Sequence, residues 1–265
     1  MTKSIKKILL ILATVILTVV LAACGSNNSG GSNGESSAPK TPTSKEIIEK
    51  YTEVAKNIKS SKFNGDVTMT NIIDGKESKV TMKIDGTSTV DPLDMLVTYN
   101  ISNGTKSQKV IAYLKNGESL YMSKDNVVWE KLELNSQTKK QIDSIKQVNG
   151  NQKALDFYKD NADSFKVEEQ GDNYVLTYTG TDQKFKELLE KLSSSSGTSV
   201  NYGDVDFKNM FVKVTVKKSN YEPVYTELST ELVNKNNSSA SAKIEIKQAV
   251  SEINTAKVEA PAGIK

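Results

Sequence analysis

The sequence predicts an α+β fold with helices laid against one face of a large antiparallel sheet. Three observations carry this. Apolar residues recur with period two over residues 63–134 and again over 210–250; Asp-Gly and Asn-Gly dipeptides punctuate these runs; and stretches of helical period sit before and between them.

The first element is a helix. Thr43-Ser44-Lys45-Glu46 reads as a capping box, in which the Thr43 hydroxyl and the Glu46 carboxylate satisfy each other's free backbone amides. Behind it Ile47, Ile48, Tyr51, Val54, Ala55 and Ile58 recur at helical spacing and give one apolar face, which needs a sheet to cover it. The period then switches to two, through Val67 and Met69, then Val80, Met82 and Ile84, then Leu93, Met95, Val97, Tyr99 and Ile101, then Leu120 and Met122. Asp74-Gly75, Asn103-Gly104 and Asn116-Gly117 separate the runs and favour tight hairpins, because their residues take positive φ readily. Asp85-Gly86 is a further turn or a bulge. Sequential hairpins make a meander, and the alternation leaves one face covered and the other wet.

Residues 136–162 return to helical spacing, with Ile142 and Ile145 before Gly150 and Leu155 and Tyr158 after it, which predicts two short helices. A hairpin turning at Gly171-Asp172 follows over 165–179. A helix over 181–192 presents Phe185, Leu188, Leu189 and Leu192 on one face, and the Ser- and Gly-rich stretch 193–204 reads as a loop. Three strands, near 210–217, 224–233 and 242–250, end the chain's regular structure. Helix and meander occur twice, a hint of two similar halves.

The N-terminus carries an address. Lys3, Lys6 and Lys7 precede a nearly all-apolar run over 8–21 that closes on Leu21-Ala22-Ala23-Cys24, the plan of a secretory signal. The run is short for a membrane span, which takes about 20 apolar residues. Leu-Ala-Ala-Cys resembles the lipobox of bacterial lipoproteins. The resemblance implies a signal peptide over 1–23, cut before Cys24, and a covalent diacylglycerol on the Cys24 sulfur, with or without an N-acyl chain. Two acyl chains meet the requirement that stable anchoring takes two hydrophobic signals. Residues 24–42, the lipidated cysteine and a Gly-, Ser- and Asn-rich stretch, read as a tether, whose roughly 18 flexible residues span on the order of 25 Å. Residues 43–265 are then expected to be a single domain at the extracytoplasmic face of the membrane.

Composition narrows the functions. The chain has 35 Lys+Arg against 32 Asp+Glu, and removal of the three signal lysines leaves 32 of each sign. A neutral mature chain offers no electrostatic footprint for nucleic acid. Every basic side chain is Lys, so the bidentate fork that suits phosphate and carboxylate is missing, and the absence of His removes the commonest general acid and base near neutral pH. With one Cys there is no intramolecular disulfide. No phosphate loop, nucleophile elbow or calcium loop is present; Asp204-Val205-Asp206 lacks the oxygen ligands that such a loop needs. Zinc is not expected with no His and the one Cys acylated. Glu168-Glu169 would point to opposite faces of a strand, as surface charges do. The chain is therefore expected to be no enzyme and to need no cofactor beyond its covalent lipid.

The informative feature of the sheet is its apolar stripe. Met69, Met82, Met95 and Met122 alternate with Ile84, Val97, Tyr99 and Leu120, and Trp129 follows the last run. Methionine packs adaptably and is over-used at promiscuous apolar binding surfaces. These nine residues either fill a solid core or line a cavity that accepts a lipid chain; the sequence leaves both open.

Leu114-Lys115-Asn116-Gly117-Glu118-Ser119-Leu120-Tyr121-Met122, with Val127-Val128-Trp129-Glu130-Lys131-Leu132 after it, resembles the central element of a group of Gram-positive lipoproteins of unknown function, similar in turn to the LolA and LppX/LprG lipoproteins. The ending resembles them too: Val214-Thr215-Val216-Lys217-Lys218 leads into Tyr221-Glu222-Pro223-Val224, and Ile253-Asn254 precedes Val258-Glu259-Ala260-Pro261. The resemblance spans 43–265. It implies a half-barrel, a large curved antiparallel sheet wrapped around helices, whose cavity holds acyl chains. A monomeric, membrane-tethered protein that binds or shuttles a lipid, a glycolipid or another amphiphile is the expected function. A solid interaction module of the cell envelope is the alternative.

Overall fold

The computed structural model describes residues 41–136, 138–139, 142–143, 149–180, 205–237 and 239–264. The signal segment, Cys24, most of the tether, and the helix and loop expected over 181–204 lie outside the described residues.

Helix α1 (Ser44–Lys56) starts as its sequence demands. The Glu46 amide donates to the Thr43 hydroxyl at 3.3 Å and the Thr43 amide donates to the Glu46 carboxylate at 2.7 Å, so both halves of the capping box form. Ile47, Ile48, Tyr51 and Ala55 are buried on one side. Ile58 is buried as expected but lies past the helix end, where Asn57 caps the last turn.

Two meanders follow. The first comprises β1 (Ser60–Ile73), β2 (Lys76–Thr89), β3 (Met95–Ser102), β4 (Ser107–Lys115), β5 (Ser119–Ser123) and β6 (Glu130–Leu132). Helix α2 (Asn149–Asp160) and a single 3₁₀ turn (Ala162–Ser164) intervene. The second meander comprises β7 (Lys166–Gln170), β8 (Asn173–Gly180), β9 (Val205–Lys217), β10 (Pro223–Asn234) and β11 (Ala240–Ser251). Among the described residues these eleven strands form one open sheet, in the order β6-β5-β4-β3-β2-β1-β11-β10-β9-β8-β7. Every pairing is antiparallel. The meanders meet at β1 and β11, whose register runs from Lys62 opposite Ser251 to Ile73 opposite Ala240.

The expected hairpin chemistry is present. Asp74 and Gly75 both take positive φ (51° and 74°), as do Asn116 and Gly117 (53° and 61°), the geometry whose twist matches paired strands. Asp85-Gly86 is neither of the two features expected. Both residues lie inside β2, paired without a register shift to Asn64 and Phe63 of β1. The glycine is required there because the buried Phe63 ring lies over it: a Cβ on Gly86 would stand 2.5 Å from Phe63 Cζ and 3.2 Å from the Leu96 carbonyl. Residues 136, 138–139 and 142–143 are helical, as expected, and Gly150 lies within the helix Asn149–Asp160 that follows; Ile145 lies outside the described residues.

The helices cover one face of the sheet, and the core has two parts. In one, Ile47, Ile48, Tyr51 and Ala55 of α1 and Leu155 and Phe157 of α2 pack on Tyr174, Leu176 and Tyr178 of β8 and Val212, Val214 and Val216 of β9. Rings lock this part: Tyr158 meets Tyr51 edge-on at 5.8 Å, and Phe165 lies 5.5 Å from Tyr178. Burial pushes the Tyr158 hydroxyl up to about 12 and raises that of Tyr51 further. The second part lies on β1–β4 and β11.

A substitution tests the Phe63–Gly86 contact. Gly86→Ala should destabilise the protein by about 1–3 kcal/mol, since the ring must leave its seat to admit a methyl group. Urea denaturation checks this, and an unchanged midpoint would show that the ring gives way freely.

Candidate functional site

Register assigns the sheet's inner face residue by residue. One cross-strand row reads Val110, Tyr99, Ile84, Gly65, Gln248, Thr226, Val214, Leu176 and Val167, from β4 to β7. The next reads Ile101, Met82, Val67, Ile246, Leu228, Val212 and Tyr178. Neighbouring strands stand about 4.8 Å apart, so each row runs across the sheet with its side chains on one face, broken in the first row by Gly65.

Eight of the nine residues singled out by the sequence share this face. Met82, Ile84, Met95, Val97 and Tyr99 are buried, and Met69, Leu120 and Met122 are half-buried. Across strands, Met82 opposes Val67 of β1, and Val97 opposes Ala112, which in turn opposes Met122. All of them but Met69 belong to the second core, with Phe63, Val110, Leu114 and Ile246. Beyond the strands, among the described residues, only Leu93, Leu134 and Ile142 join that cluster, whereas α1 and α2 pack solely on the first. Burial raises the Tyr99 hydroxyl well above its ordinary value, so it is neutral throughout the physiological range.

Trp129 stands apart, half-buried in the β5–β6 loop with its indole N–H buried and without a hydrogen-bond partner. That loop is built around Asp125. Its carboxylate accepts the Val127 and Val128 amides at 2.9 and 3.0 Å and the Ser123 hydroxyl at 3.0 Å, while the Asn126 amide donates to Ser123 Oγ. These bonds, the two backbone amides first, lower Asp125 to about 2. The loop so fixed presents Val127 and Val128 to solvent at 76% and 71% exposure.

Between the two cores, beside Leu228, which packs against both, lie buried polar residues that the sequence did not single out. Thr226 and Thr230 of β10 and Gln248 of β11 are buried on the inner face, between Ile246 on one side and Val212 and Val214 on the other. Thr230 donates to the Lys208 carbonyl at 3.4 Å. Gln248 is 2% exposed, and neither its Nε2 nor its Oε1 has a partner. At the far end of the face Ser61 and Ser88, opposite each other in register, are also buried with unpartnered hydroxyls. A signal for Gln248 existed in the sequence: in Ile244-x-Ile246-x-Gln248-x-Val250 one polar residue occupies an apolar phase.

Charges keep to the outer face and the edges. Lys247 pairs with Glu227 at 3.7 Å on the face opposite Gln248. Glu168 and Glu169 are surface residues, and Glu169 is lowered by hydrogen bonds from Lys218 and then Thr41. Among the described residues no three His, Cys, Asp or Glu side chains gather as a metal site would need, and no helix is long and apolar enough to cross a membrane. What the inner face carries is an apolar surface, most of it buried and half-buried at Met69, Leu120 and Met122, and a few neutral hydrogen-bonding groups.

The model of a family of unknown function, DUF6612, matches residues 43–265. No curated protein matches. Two solved structures resemble the fold at low similarity. One is a DUF1329 family protein from Desulfovibrio piger, 8% identical, covering 81% of this chain and 93% of its own, with a TM-score of 0.28. The other is the ywiB protein from Bacillus subtilis, 7% identical, covering 72% of this chain and 93% of its own, with a TM-score of 0.21.

The Asp125 loop gives a pH test. Its pKa lies below the ordinary 3.8, so its ordering is complete above about 4 and is lost as pH falls through about 2. The amide proton shifts of Val127 and Val128 should titrate with a midpoint near 2; a midpoint of 3.8 would mean that the carboxylate does not hold the loop.

Proposed function

We propose, for a chain that belongs to the DUF6612 family and inherits no activity from it, that it is a membrane-tethered, non-catalytic lipoprotein that holds an acyl chain against the inner face of its first meander. The observation that supports this most is the division of the core. The helices that seal β8 and β9 leave the methionine-bearing face of β1–β5 to Leu93, Leu134 and Ile142, among the described residues. Flexible methionine, leucine and isoleucine side chains suit a ligand of variable chain better than one of fixed shape. In this reading Cys24, acylated and exposed on the outer side of the membrane, keeps the domain within reach of the lipids it would load. The protein works as a monomer with no metal or catalytic group.

Mass spectrometry under native conditions, on the full chain taken from its own host's membranes, tests the carriage. The expected spectrum contains the chain with a non-covalent adduct of acyl-chain mass, and the double variant Met69→Trp/Met122→Trp, which fills the half-buried part of the face, should reduce that adduct several-fold. The chain's own mass alone, with no adduct in either form, would count against carriage. Anchoring is separate: Cys24→Ala should abolish incorporation of a fatty-acid analogue, and continued labelling would refute acylation at this residue.

One observation favours the alternative of an interaction module. Val127 and Val128 are held outward by a loop with four hydrogen bonds centred on Ser123 and Asp125. In that case Val127→Ser/Val128→Ser should release an envelope partner from a cross-linked complex and leave any lipid adduct unchanged.

A further inference from the structure

We infer that Gln248 is the polar anchor of the inner face, and that the molecule held there carries an uncharged acyl ester beside a free hydroxyl, as a partial acylglycerol does. This rests on the carriage reading above and names the part of the ligand that the sheet would recognise.

The position of Gln248 is unusual for its chemistry. It lies on β11, at the junction of the two meanders, in the same cross-strand row as Ile84 and Tyr99 and beside the row of Val67 and Met82. It is 2% exposed, and its carboxamide has neither a donor nor an acceptor satisfied. A buried amide without partners costs stability, and a Leu or Met of the same size would remove that cost. Retaining a glutamine there is explained when its partner is brought in by another molecule.

Its neighbours define that partner. On β1 the residue opposite is Gly65, where a Cβ would stand 2.8 Å from the Lys247 carbonyl, so the two backbones pass closely and no side chain reaches the amide from that side. On β10 the residue opposite is Thr226, which is also buried and uncharged. The charged residues next to Gln248 in sequence and across the strands, namely Lys247, Asp66 and Glu227, alternate onto the outer face, where Lys247 pairs with Glu227. Among the described residues no cation therefore faces the amide to balance a carboxylate or a phosphate, and burying an ion beside an uncompensated dipole is unfavourable. A carboxamide offers two N–H donors and one carbonyl acceptor. An ester carbonyl can take the donor while the adjacent hydroxyl gives to the acceptor, so a single partial acylglycerol satisfies both ends. Its acyl chain then follows the strip from Val67 and Met82 toward Tyr99 and Val110, which is itself buried, so loading displaces what covers it.

The test uses the full chain, immobilised by a C-terminal tag, and three radiolabelled probes of equal chain length: 1-monooleoylglycerol, oleate and 1-octadecene. Wild type should bind the glyceride most tightly. Gln248→Leu should weaken the glyceride about tenfold, the worth of its lost hydrogen bonds, leave octadecene unchanged, and melt at a higher temperature when no ligand is bound. Gln248→Met, which keeps the length of the side chain, replaces it if the leucine variant does not fold. Equal glyceride binding by wild type and the folded variants overturns the anchor and leaves carriage standing. Tighter binding of oleate than of the glyceride by wild type overturns the uncharged group. Failure of wild type to hold any of the three overturns carriage and the anchor together.

Discussion

The fold depends on one long-range pairing. Strand β1 begins at Ser60 and β11 ends at Ser251, and their twelve-residue register is, among the described residues, the one ladder between strands of different meanders. Every other ladder joins strands adjacent in sequence, closed by a short turn or, between β8 and β9, by a longer connection. Local hairpins are cheap to close, whereas bringing residue 62 to residue 251 costs loop entropy that only a long ladder with a buried face repays. The alternation of Phe63, Val67 and Ile246 on one side with Lys62, Asp66 and Lys247 on the other fixes that register, because a slip of one residue would turn the apolar set to water.

The same junction determines what the inner face can do. Fusing two meanders produces a sheet wider than α1 and α2 cover, and the aromatic contacts of Tyr51, Tyr158, Phe165 and Tyr178 commit those helices to the second meander. The first meander is left with an apolar surface that is rich in methionine and has few described residues upon it. Between the two lie the buried polar Thr226, Thr230 and Gln248, with Leu228 among them. Packing of one half thus leaves the other with an apolar face of different composition, and Leu228 bridges the two.

Much of this is legible in the sequence because it is local. The capping box, the Asp-Gly and Asn-Gly turns and the period-two runs each encode their structure within a few residues, and the stripe from Met69 to Met122 falls on one face as alternation requires. What was not legible had non-local causes. Strand β4 escapes the alternation rule because Val110 and Leu114 are buried on the inner face and Ile111 and Tyr113 on the outer. Gly86 looks like a turn residue until Phe63, a partner across the strand, explains it. Gln248 breaks an apolar phase visibly, but its meaning appears only when Gly65 and Thr226 are seen on either side. Pairing of β1 with β11 also has no sequence mark of its own, since both strands read as ordinary members of their hairpins.

The chain's six methionines allow the central claim to be measured directly. Met69, Met82, Met95 and Met122 lie on the inner face of the first meander, while Met210 is buried in the core beneath the helices. Methyl NMR of the ¹³C-methionine-labelled protein, with a nitroxide-labelled acyl lipid added, compares the two regions in one sample. Lipid held against the first meander should broaden the methyl signals of Met69, Met82, Met95 and Met122 and spare Met210. Five unaffected signals, or broadening of Met210 alongside the other four, would contradict it.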